Sequence, residues 1–240
     1  MSAVAERILA HLTIVEHERS QRNQAPGLDA SVEALKAFQQ RRFAQTYADL
    51  LEQPRYRPAC SFFLEELYGP RNYAQRDSQF ARVVPALVRL FPDELVQTVE
   101  RLGELHALSE VLDTAMARQL LQGPVSALPY LRAWQAVGRE ADRGRQIELT
   151  LTIADRLDHL TKKRLLYRSL RLMRGPARSA GLGELQHFLE SGFEAFRAMK
   201  GAKEFIALLR DRETSLAQAL FHVDPSHSGD SLARLTRELG

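Results

Sequence analysis

The stretch DELVQTVERLGELHALSEVLDTAMARQLL, residues 93–121, is the clearest amphipathic pattern in the chain. Its apolar residues recur every three or four positions, as the side chains on one face of an α-helix do. They are Leu95, Val99, Leu102, Leu105, Leu112, Met116 and Leu120. Phe91-Pro92 before the stretch and Gly123-Pro124 after it are typical helix boundaries. The pattern predicts one helix of about 29 residues, long enough to span a domain.

The composition of the whole chain also favours helices. Of the 240 residues, 37 are Leu and 30 are Ala, whereas the strand formers Val and Ile number 12 and 5. The 13 Gly and 10 Pro leave few turn residues for a fold of many strands. We therefore predict an all-α protein, a single multi-helix bundle of about eight to ten helices, and exclude a β-sandwich or a β-barrel.

Further helical patterns lie on both sides of this stretch. We predict a hairpin of helices at 3–22 and 30–52, and further helices at 60–68, 78–91, 126–138, 184–199 and 205–220. Asp77 or Ser78 is the expected N-cap of the 78–91 helix. Residues 138–144 are polar enough for a loop. We assign residues 1–222 to the helical bundle and residues 223–240 to a linker and a short C-terminal helix.

Residues 145–174 have a helical pattern whose apolar face changes direction. Leu149, Ile153 and Leu157 share one face of the first half. At 100° per residue the same face continues into arginines in the second half, which an unbroken core helix would not tolerate. We therefore expect the helix to break or change partners near Thr161, and to end at Gly175-Pro176.

Basic residues dominate this second half. Between Leu160 and Gly183 there is no acidic residue, and the basic ones are Lys162, Lys163, Arg164, Arg168, Arg171, Arg174 and Arg178. Because the net charge of the chain is +3, the remaining residues sum to −4. Such a run is typical of a surface that binds an anionic partner. The candidate partner-binding residues are Arg164, Arg168, Arg171, Arg174 and Arg178.

Several partners fit this run. An acidic protein surface or self-association is the leading prediction, and nucleic acid and anionic lipid are alternatives. Nucleic acid is less favoured because only Tyr167 supplies a stacking ring and no helix-turn-helix pattern is present. Ahead of all these partners stands the interpretation that the residues pair with acids of neighbouring helices, since Arg outnumbers Lys 28 to 5 in the whole chain. We expect some of the arginines to pair with acids of neighbouring helices and at least two to stay exposed.

The stretch FFLEELYGPRNY, residues 62–73, is the most unusual one and is followed by Arg76-Asp77. It resembles a family of uncharacterised bacterial proteins named after the FFLEELY motif, and the likeness covers about residues 55–95. The resemblance implies no reaction, cofactor or ligand. We interpret the stretch as a structural corner, with a ligand or partner site as the alternative. Its residues of interest are Phe62, Phe63, Glu66, Tyr68, Arg71, Arg76, Asp77 and Arg82.

Two expectations follow from the structural interpretation. At least one of Phe62 and Phe63 should be buried, because they occupy neighbouring faces of a short helix. Glu66 or Asp77 should pair with one of the arginines at positions 71, 76 and 82.

Motifs for chemistry are scarce. The single Cys60 excludes an internal disulfide, and no nucleophile elbow or phosphate-binding loop is present. Glu184 and His187 have the Glu-x-x-His spacing of di-iron bundles, but no second copy exists. We predict no catalytic residue, no metal and no cofactor, and hence a non-catalytic binding or self-assembling module. The alternative is a helical-bundle protein that binds a ligand, a metal or haem, which includes an enzyme.

The N-terminal residues contain charges where a signal peptide would be apolar. No window reaches the roughly 18 apolar residues of a membrane-spanning helix. We therefore expect a cytoplasmic protein without a membrane span.

Overall fold

We describe the chain with a computed structural model, which covers residues 2–67, 73–121, 123–226 and 229–240, leaving aside the side chains of Leu67 and Arg164. Within these residues every regular element is a helix and there is no strand, so the all-α prediction is confirmed. The helices number more than ten, and the predicted count of eight to ten is wrong. The count is higher because the predicted helices at 30–52 and 145–174 are both interrupted.

The N-terminal half contains a long first hairpin, three shorter elements and two longer helices. They are α1 (Ala3–Gln24), α2 (Leu28–Thr46), α3 (Ala48–Leu51), α4 (Arg57–Phe62), a π-helical segment (Phe63–Leu67), α5 (Ala74–Leu90) and α6 (Asp93–Gln119). The C-terminal half contains α7 (Ala127–Val137), α8 (Glu140–Thr161), α9 (Arg164–Leu172), α10 (Arg174–Ser179), α11 (Gly183–Ala198), α12 (Lys203–His222) and α13 (Asp230–Leu239).

The first two helices form the predicted hairpin. Ser2 caps α1, because its side chain accepts a hydrogen bond of 3.3 Å from the backbone N–H of Ala5. Gly27 closes the turn with φ +76°, a left-handed conformation that glycine adopts without steric cost. Both helices of the hairpin pack against α6. The hairpin therefore covers one side of the central helix.

The central helix, α6, begins at Asp93 as predicted and has neighbours on most of its surface. It packs against α1, α2, α7 and α8. Gly103 and Ala107 are consequently buried although they lie outside the predicted stripe, whereas Leu105 is only partly buried. A helix surrounded in this way also buries polar side chains, here Thr98, Glu110, Asp113 and Thr114.

The described helices bury three apolar clusters. One lies between α1, α5 and α6, and a second joins α2, α6, α7, α12 and α13. The third, which contains both phenylalanines of the FFLEELY stretch, lies between α4, the π-helical segment, α8, α11 and α12. The C-terminal helix α13 belongs to the second cluster, because Leu235 and Leu239 are buried there. In the described part of the chain, no helix has the combination of length and hydropathy needed to cross a membrane.

The predicted break near Thr161 is confirmed. α8 ends at Thr161, Lys163 has an extended backbone conformation, and α9 begins at Arg164. The expected end at Gly175-Pro176 is wrong, because α9 ends at Leu172 and those two residues lie in the first turn of α10. Proline is tolerated there, since the first turn of a helix does not need its N–H. The basic run therefore occupies two short helices instead of the end of one long one.

The loop expected at 138–144 is also wrong. Gly138 and Arg139 have positive φ angles and make the turn, and α8 starts directly afterwards at Glu140. Most of its first turns face solvent, which explains their polar composition. Arg143 is the buried exception, with its guanidinium 3.9 Å above the ring of Trp134.

Candidate functional site

Both phenylalanines of the FFLEELY stretch are buried, so the expectation that at least one would be is confirmed. Phe62 ends α4, and its ring lies 5.6 Å from that of Phe188 on α11. Phe63 begins the π-helical segment and stacks on Phe43 at 5.8 Å with an interplanar angle of 3°. Both rings belong to the core, as a structural corner requires.

Asp77 is a buried junction between three helices. The expected N-cap role is wrong, because α5 begins at Ala74 and Asp77 lies inside its first turn. Its carboxylate accepts hydrogen bonds from Arg19 of α1 and from Nε2 of His106 of α6, the latter at 2.9 Å. Arg76 lies 3.4 Å away, which is one of the expected pairings. Burial would raise the pKa of Asp77, but His106 and the arginines hold it far below its ordinary value.

Arg76 links this junction to the rest of the stretch. Its guanidinium lies 4.1 Å from the ring centroid of Tyr73 and 4.7 Å from that of Phe188. It also donates a hydrogen bond of 3.3 Å to the backbone carbonyl of Glu66, whose side chain is buried. These contacts are those of a packed corner. Two further residues of interest, Tyr68 and Arg71, lie outside the described residues.

A second buried charge cluster lies around Glu110 of α6. Its carboxylate binds Arg22 of α1 and Lys36 of α2, both at 2.5 Å. Arg22 also donates to the hydroxyl of Thr114 at 2.8 Å and to the backbone carbonyl of Glu110 at 2.7 Å. Burial would raise the pKa of Glu110, but the charges of Lys36 and Arg22 lower it to about 2. The cluster holds the α1–α2 hairpin on α6.

The basic run differs from these clusters because most of it is exposed. On α9, Leu165 and Leu172 are each 78% exposed, and Arg168 and Arg171 are exposed beside them. Met173 follows, and Arg178 is exposed on α10. We name this set the basic surface; its members are Leu165, Arg168, Arg171, Leu172, Met173 and Arg178. It combines cationic and large apolar side chains, and Arg168, Arg171 and Leu172 of the set line one depression.

Three residues of the run are paired with acids. Lys162 contacts Asp158 at 2.8 Å, and Lys163 contacts Glu94 at 2.5 Å. Arg174 donates from Nε to both carboxylate oxygens of Glu190 on α11, at 2.6 and 2.7 Å. This hydrogen bond raises the pKa of the Arg174 guanidinium. Arg174 is therefore part of the α10–α11 packing.

Three other arginines of the run have side chains that the structure describes, and they have no such partner. Among the described residues, no carboxylate lies within 4 Å of Arg168, Arg171 or Arg178. The expectation that at least two of the arginines stay exposed is confirmed, whereas Arg174 is the one arginine of the run seen to pair with acids in the described chain. The side chain of Arg164 lies outside the described residues. The basic surface thus carries unmatched positive charge.

Two contacts fix the ends of the α9–α10 segment. Lys163, just before α9, is tied to Glu94 at the start of α6. Arg82 donates a hydrogen bond of 3.4 Å to the backbone carbonyl of Ala180, just after α10. Arg82, one of the three arginines that could have paired with Glu66 or Asp77, thus contacts the far end of the basic segment instead.

A shallow depression of about 690 Å³ adjoins the basic surface. It is lined by Tyr167, Arg168, Arg171, Leu172, Arg174 and Arg197. Sequence reasoning missed Arg197, which lies on α11 outside the basic run. Its guanidinium carbon is 4.2 Å from the ring centroid of Tyr167. No local pattern marks Arg197, because only the packing of α11 on α9 brings it there.

A groove of about 910 Å³ between α8 and α12 is a second concavity. Five carboxylates and five Lys or Arg side chains line it. Asp158 is one of them and accepts hydrogen bonds from Lys162 and from the backbone N–H of Ala202, at 2.8 and 2.9 Å. Because the charges balance, the groove does not favour a ligand of either sign.

The Glu-x-x-His pair does not gather a ligand set. His187 is exposed and lies 3.8 Å from Glu66. Across the described residues there is no group of three or more His, Cys, Asp or Glu side chains that could hold a metal ion. Cys60 is buried, and burial raises the pKa of its thiol to about 11.

The chain belongs to the family described as a domain of unknown function, DUF8198, whose model matches residues 18–227. No curated protein and no solved structure matches the chain. The match agrees with the expectation of an uncharacterised family. Because the family description carries no activity, the function has to be argued from the geometry of the surface.

Proposed function

We propose that this member of the DUF8198 family is a non-catalytic binding module that docks an acidic, amphipathic segment of a partner protein on the basic surface. The observation that carries the proposal is the combination of Arg168 and Arg171, which lack carboxylate partners in the described chain, with two exposed leucines. Exposed arginines attract an anionic partner, and exposed leucines need an apolar one. An acidic amphipathic helix supplies both.

The spacing of the leucines favours a helical partner. Leu165 and Leu172 are seven residues apart on α9, about 10.5 Å along its axis at 1.5 Å per residue. Apolar side chains two turns apart on a partner helix have the same spacing. Arg168 and Arg171 lie between the leucines in sequence, where they can reach acidic side chains flanking the partner's apolar stripe.

Nucleic acid and lipid are less well supported. A phosphate backbone offers little to Leu165 and Leu172, and Tyr167 is already stacked on Phe193 at 5.4 Å. Binding to a bilayer surface scales with the apolar area that it buries, and α9 offers only its two exposed leucines to such a surface. Self-association through an acidic face of a second copy uses the same chemistry and is tested together with the main proposal.

Three more detailed predictions from the sequence remain proposals beside this one. We propose the single helical bundle, the division at residue 222, and membership of the bacterial FFLEELY-motif proteins for this chain. The proposed boundary at residue 222 separates helices that are in contact, because α13 packs on α2 and α7.

A labelled synthetic peptide tests the proposed function. The peptide is a 14-residue helix with Leu at two positions seven apart and Glu at the flanking positions, followed by fluorescence anisotropy. We expect binding that weakens steeply between 50 and 200 mM salt, because exposed charges are screened over about 8 Å at physiological ionic strength. The R168E/R171E/R178E variant should bind at least about tenfold more weakly.

The matched control changes three exposed arginines of other helices, as R41E/R132E/R210E. It carries the same change of net charge and should bind like the wild type. Equal weakening of both variants would mean that only net charge matters and would contradict a defined surface.

Three further measurements separate the alternative partners. Duplex DNA or phosphatidylserine vesicles that bind more tightly than the peptide would replace the proposed partner. Binding unaffected by L165A/L172A would remove the apolar part of the proposal. Sedimentation that shows a dimer abolished by R168E/R171E/R178E would identify a second copy as the partner.

A further inference from the structure

The depression beside α9 has an excess of two positive charges. The guanidinium groups of Arg168, Arg171, Arg174 and Arg197 line it. Two carboxylates of α11 approach the same groups. Glu190 is paired with Arg174, and Glu194 lies 3.8 Å from Arg174 and accepts a hydrogen bond of 3.3 Å from the hydroxyl of Tyr167. Four cations against two anions leave two charges unmatched.

Both carboxylates contact Arg174, so Arg168, Arg171 and Arg197 share the excess charge, and Arg171 and Arg197 lie beside one ring, that of Tyr167. The guanidinium carbons of Arg171 and Arg197 lie 5.7 and 4.2 Å from the ring centroid of Tyr167, so they are at most about 10 Å apart. Within the described chain neither has a carboxylate within 4 Å. Two forked donors beside the same ring can both bind one oxyanion if their N–H groups converge on it.

The platform under these arginines is firmly packed. The ring of Tyr167 stacks on that of Phe193 with an interplanar angle of 19°, and Phe193 is buried. Gln186 of α11 donates hydrogen bonds to the backbone carbonyl of Leu170 at 2.7 Å and to Glu190 at 2.8 Å. The relative position of α9 and α11 is therefore fixed, and the depression is formed before any ligand arrives.

We infer that this depression binds a phosphoryl group carried by the docked protein segment, an inference that rests on the proposed function. A phosphomonoester has a charge of about −1.5 to −2 at pH 7 and three acceptor oxygens. It therefore matches both the two unmatched charges and the fork geometry of Arg171 and Arg197. A single carboxylate would neutralise only one of the two charges. Leu172 at the edge of the depression connects it to the apolar part of the basic surface.

The site is tested with phenyl phosphate, and phenyl sulfate and benzoate serve as singly charged controls. NMR of the arginine Nε–H groups and of the Tyr167 ring reports binding. At pH 7.5 we expect phenyl phosphate to bind at least about tenfold more tightly than either control. Its affinity should fall below pH 6, where the phosphate loses its second charge. Equal affinities for the three compounds would overturn the inference.

Variants locate the bound anion. R171Q and R197Q should each weaken phenyl phosphate binding at least about tenfold, and R197K, which keeps the charge but not the fork, should weaken it less. R132Q removes an exposed arginine of α7 and should have no effect. Binding retained in both R171Q and R197Q would exclude the depression. Unchanged thermal melting shows that a variant is folded.

The last arm uses the acidic peptide in two forms that differ only by serine or phosphoserine at one position. Phosphorylation should tighten binding about tenfold in the wild type and not in R197Q. If the unmodified peptide binds and phosphorylation adds nothing, the phosphoryl site is wrong and the proposed function stands. If phenyl phosphate binds but neither peptide does, the proposed function is wrong. Vesicles containing a phosphoinositide that bind in preference to the phosphopeptide would overturn the protein source of the phosphate.

Discussion

Arg22 and Arg168 have the same side chain in opposite surroundings. Arg22 is 4% exposed, and its guanidinium is fully engaged by Glu110 and Thr114. Arg168 is exposed on α9, and in the described part of the chain no carboxylate lies within 4 Å of it. The comparison shows that the surroundings of an arginine, rather than its presence in a basic run, indicate whether its charge is used within the fold.

The two environments differ in the free-energy cost of a charged side chain that has no ion-pair partner. A buried charge loses the solvation of water, so its partners have to replace that solvation. An exposed charge keeps its water and costs little without a partner. The chain can therefore maintain unmatched arginines only at exposed positions, such as those of the basic surface, where a partner can reach them.

The largest effect is expected from Glu110→Gln. The change leaves Arg22 and Lys36 without their anion in a buried site, which typically costs about 3 to 5 kcal/mol. Urea denaturation measures the loss in the free energy of unfolding. Glu33→Gln, at an exposed position of α2, is the matched control and should stay within about 0.5 kcal/mol. A loss below about 1 kcal/mol for Glu110→Gln would contradict the claim that the buried charges of Arg22 and Lys36 depend on this carboxylate.

Acid should weaken the same cluster. The pKa of Glu110 is about 2 in the folded chain, below its ordinary value of 4.5. A carboxyl group whose pKa is lower in the folded chain than in the unfolded chain stabilises the fold at any pH above its unfolded-state pKa. This stabilisation is lost as the pH falls from about 4.5 to 2. At about 1.36 kcal/mol per pKa unit, the loss is about 3 kcal/mol.

Two neighbouring groups modify this pH dependence. The pKa of Asp77 is lowered as well and adds to the loss at acid pH. Burial raises the pKa of Asp113, so its protonation has the opposite sign. Denaturation curves between pH 2 and 6 should show the wild type and Glu110→Gln converging towards pH 2. Parallel curves would mean that Glu110 does not carry the effect.

Packing of the FFLEELY corner should respond less strongly. A Cβ added at Gly192 of α11 would lie 2.9 Å from Cζ of Phe62, so the ring would have to move. We expect Gly192→Ala to cost about 1 to 3 kcal/mol. Gly144→Ala on α8, where nothing lies within 4 Å of the added atom, should instead stabilise by about 0.5 to 1 kcal/mol. Equal thermal shifts for the two variants would contradict a close-packed corner.

The smallest effect on stability is expected at the basic surface. R168Q/R171Q/R178Q removes three charges without a partner within the described chain, so the free energy of unfolding should change by no more than about 0.5 kcal/mol. Urea denaturation under the conditions used for Glu110→Gln measures this change in the free energy of unfolding. A loss above about 1 kcal/mol would show that these arginines serve the fold and would remove the distinction from Arg22.

The helices themselves were predictable from local pattern. The start of α6 at Asp93 follows from Phe91-Pro92, and the break after Thr161 follows from the conflict between leucines and arginines on one face. The limits of α9 and the start of α8 were not predictable, because polar residues occur in exposed helices as readily as in loops.

Long-range pairing is what the sequence does not reveal. Asp77 meets Arg19 and His106, which lie 58 and 29 residues away along the chain. Arg197 reaches the depression only because α11 packs on α9. The basic run could not distinguish Arg174, which contacts Glu190, from Arg171, which has no carboxylate within 4 Å in the described chain. That distinction depends on tertiary packing.

Hydrogen–deuterium exchange with and without the acidic peptide tests the central claim most directly. We expect slower exchange in residues 163–180 and in α11, and unchanged exchange in the α8–α12 groove and around Glu110. In R168E/R171E/R178E the same peptide should slow exchange nowhere. Protection centred on the α8–α12 groove, or protection of α9 that persists in this variant, would contradict the assignment of the basic surface to partner binding.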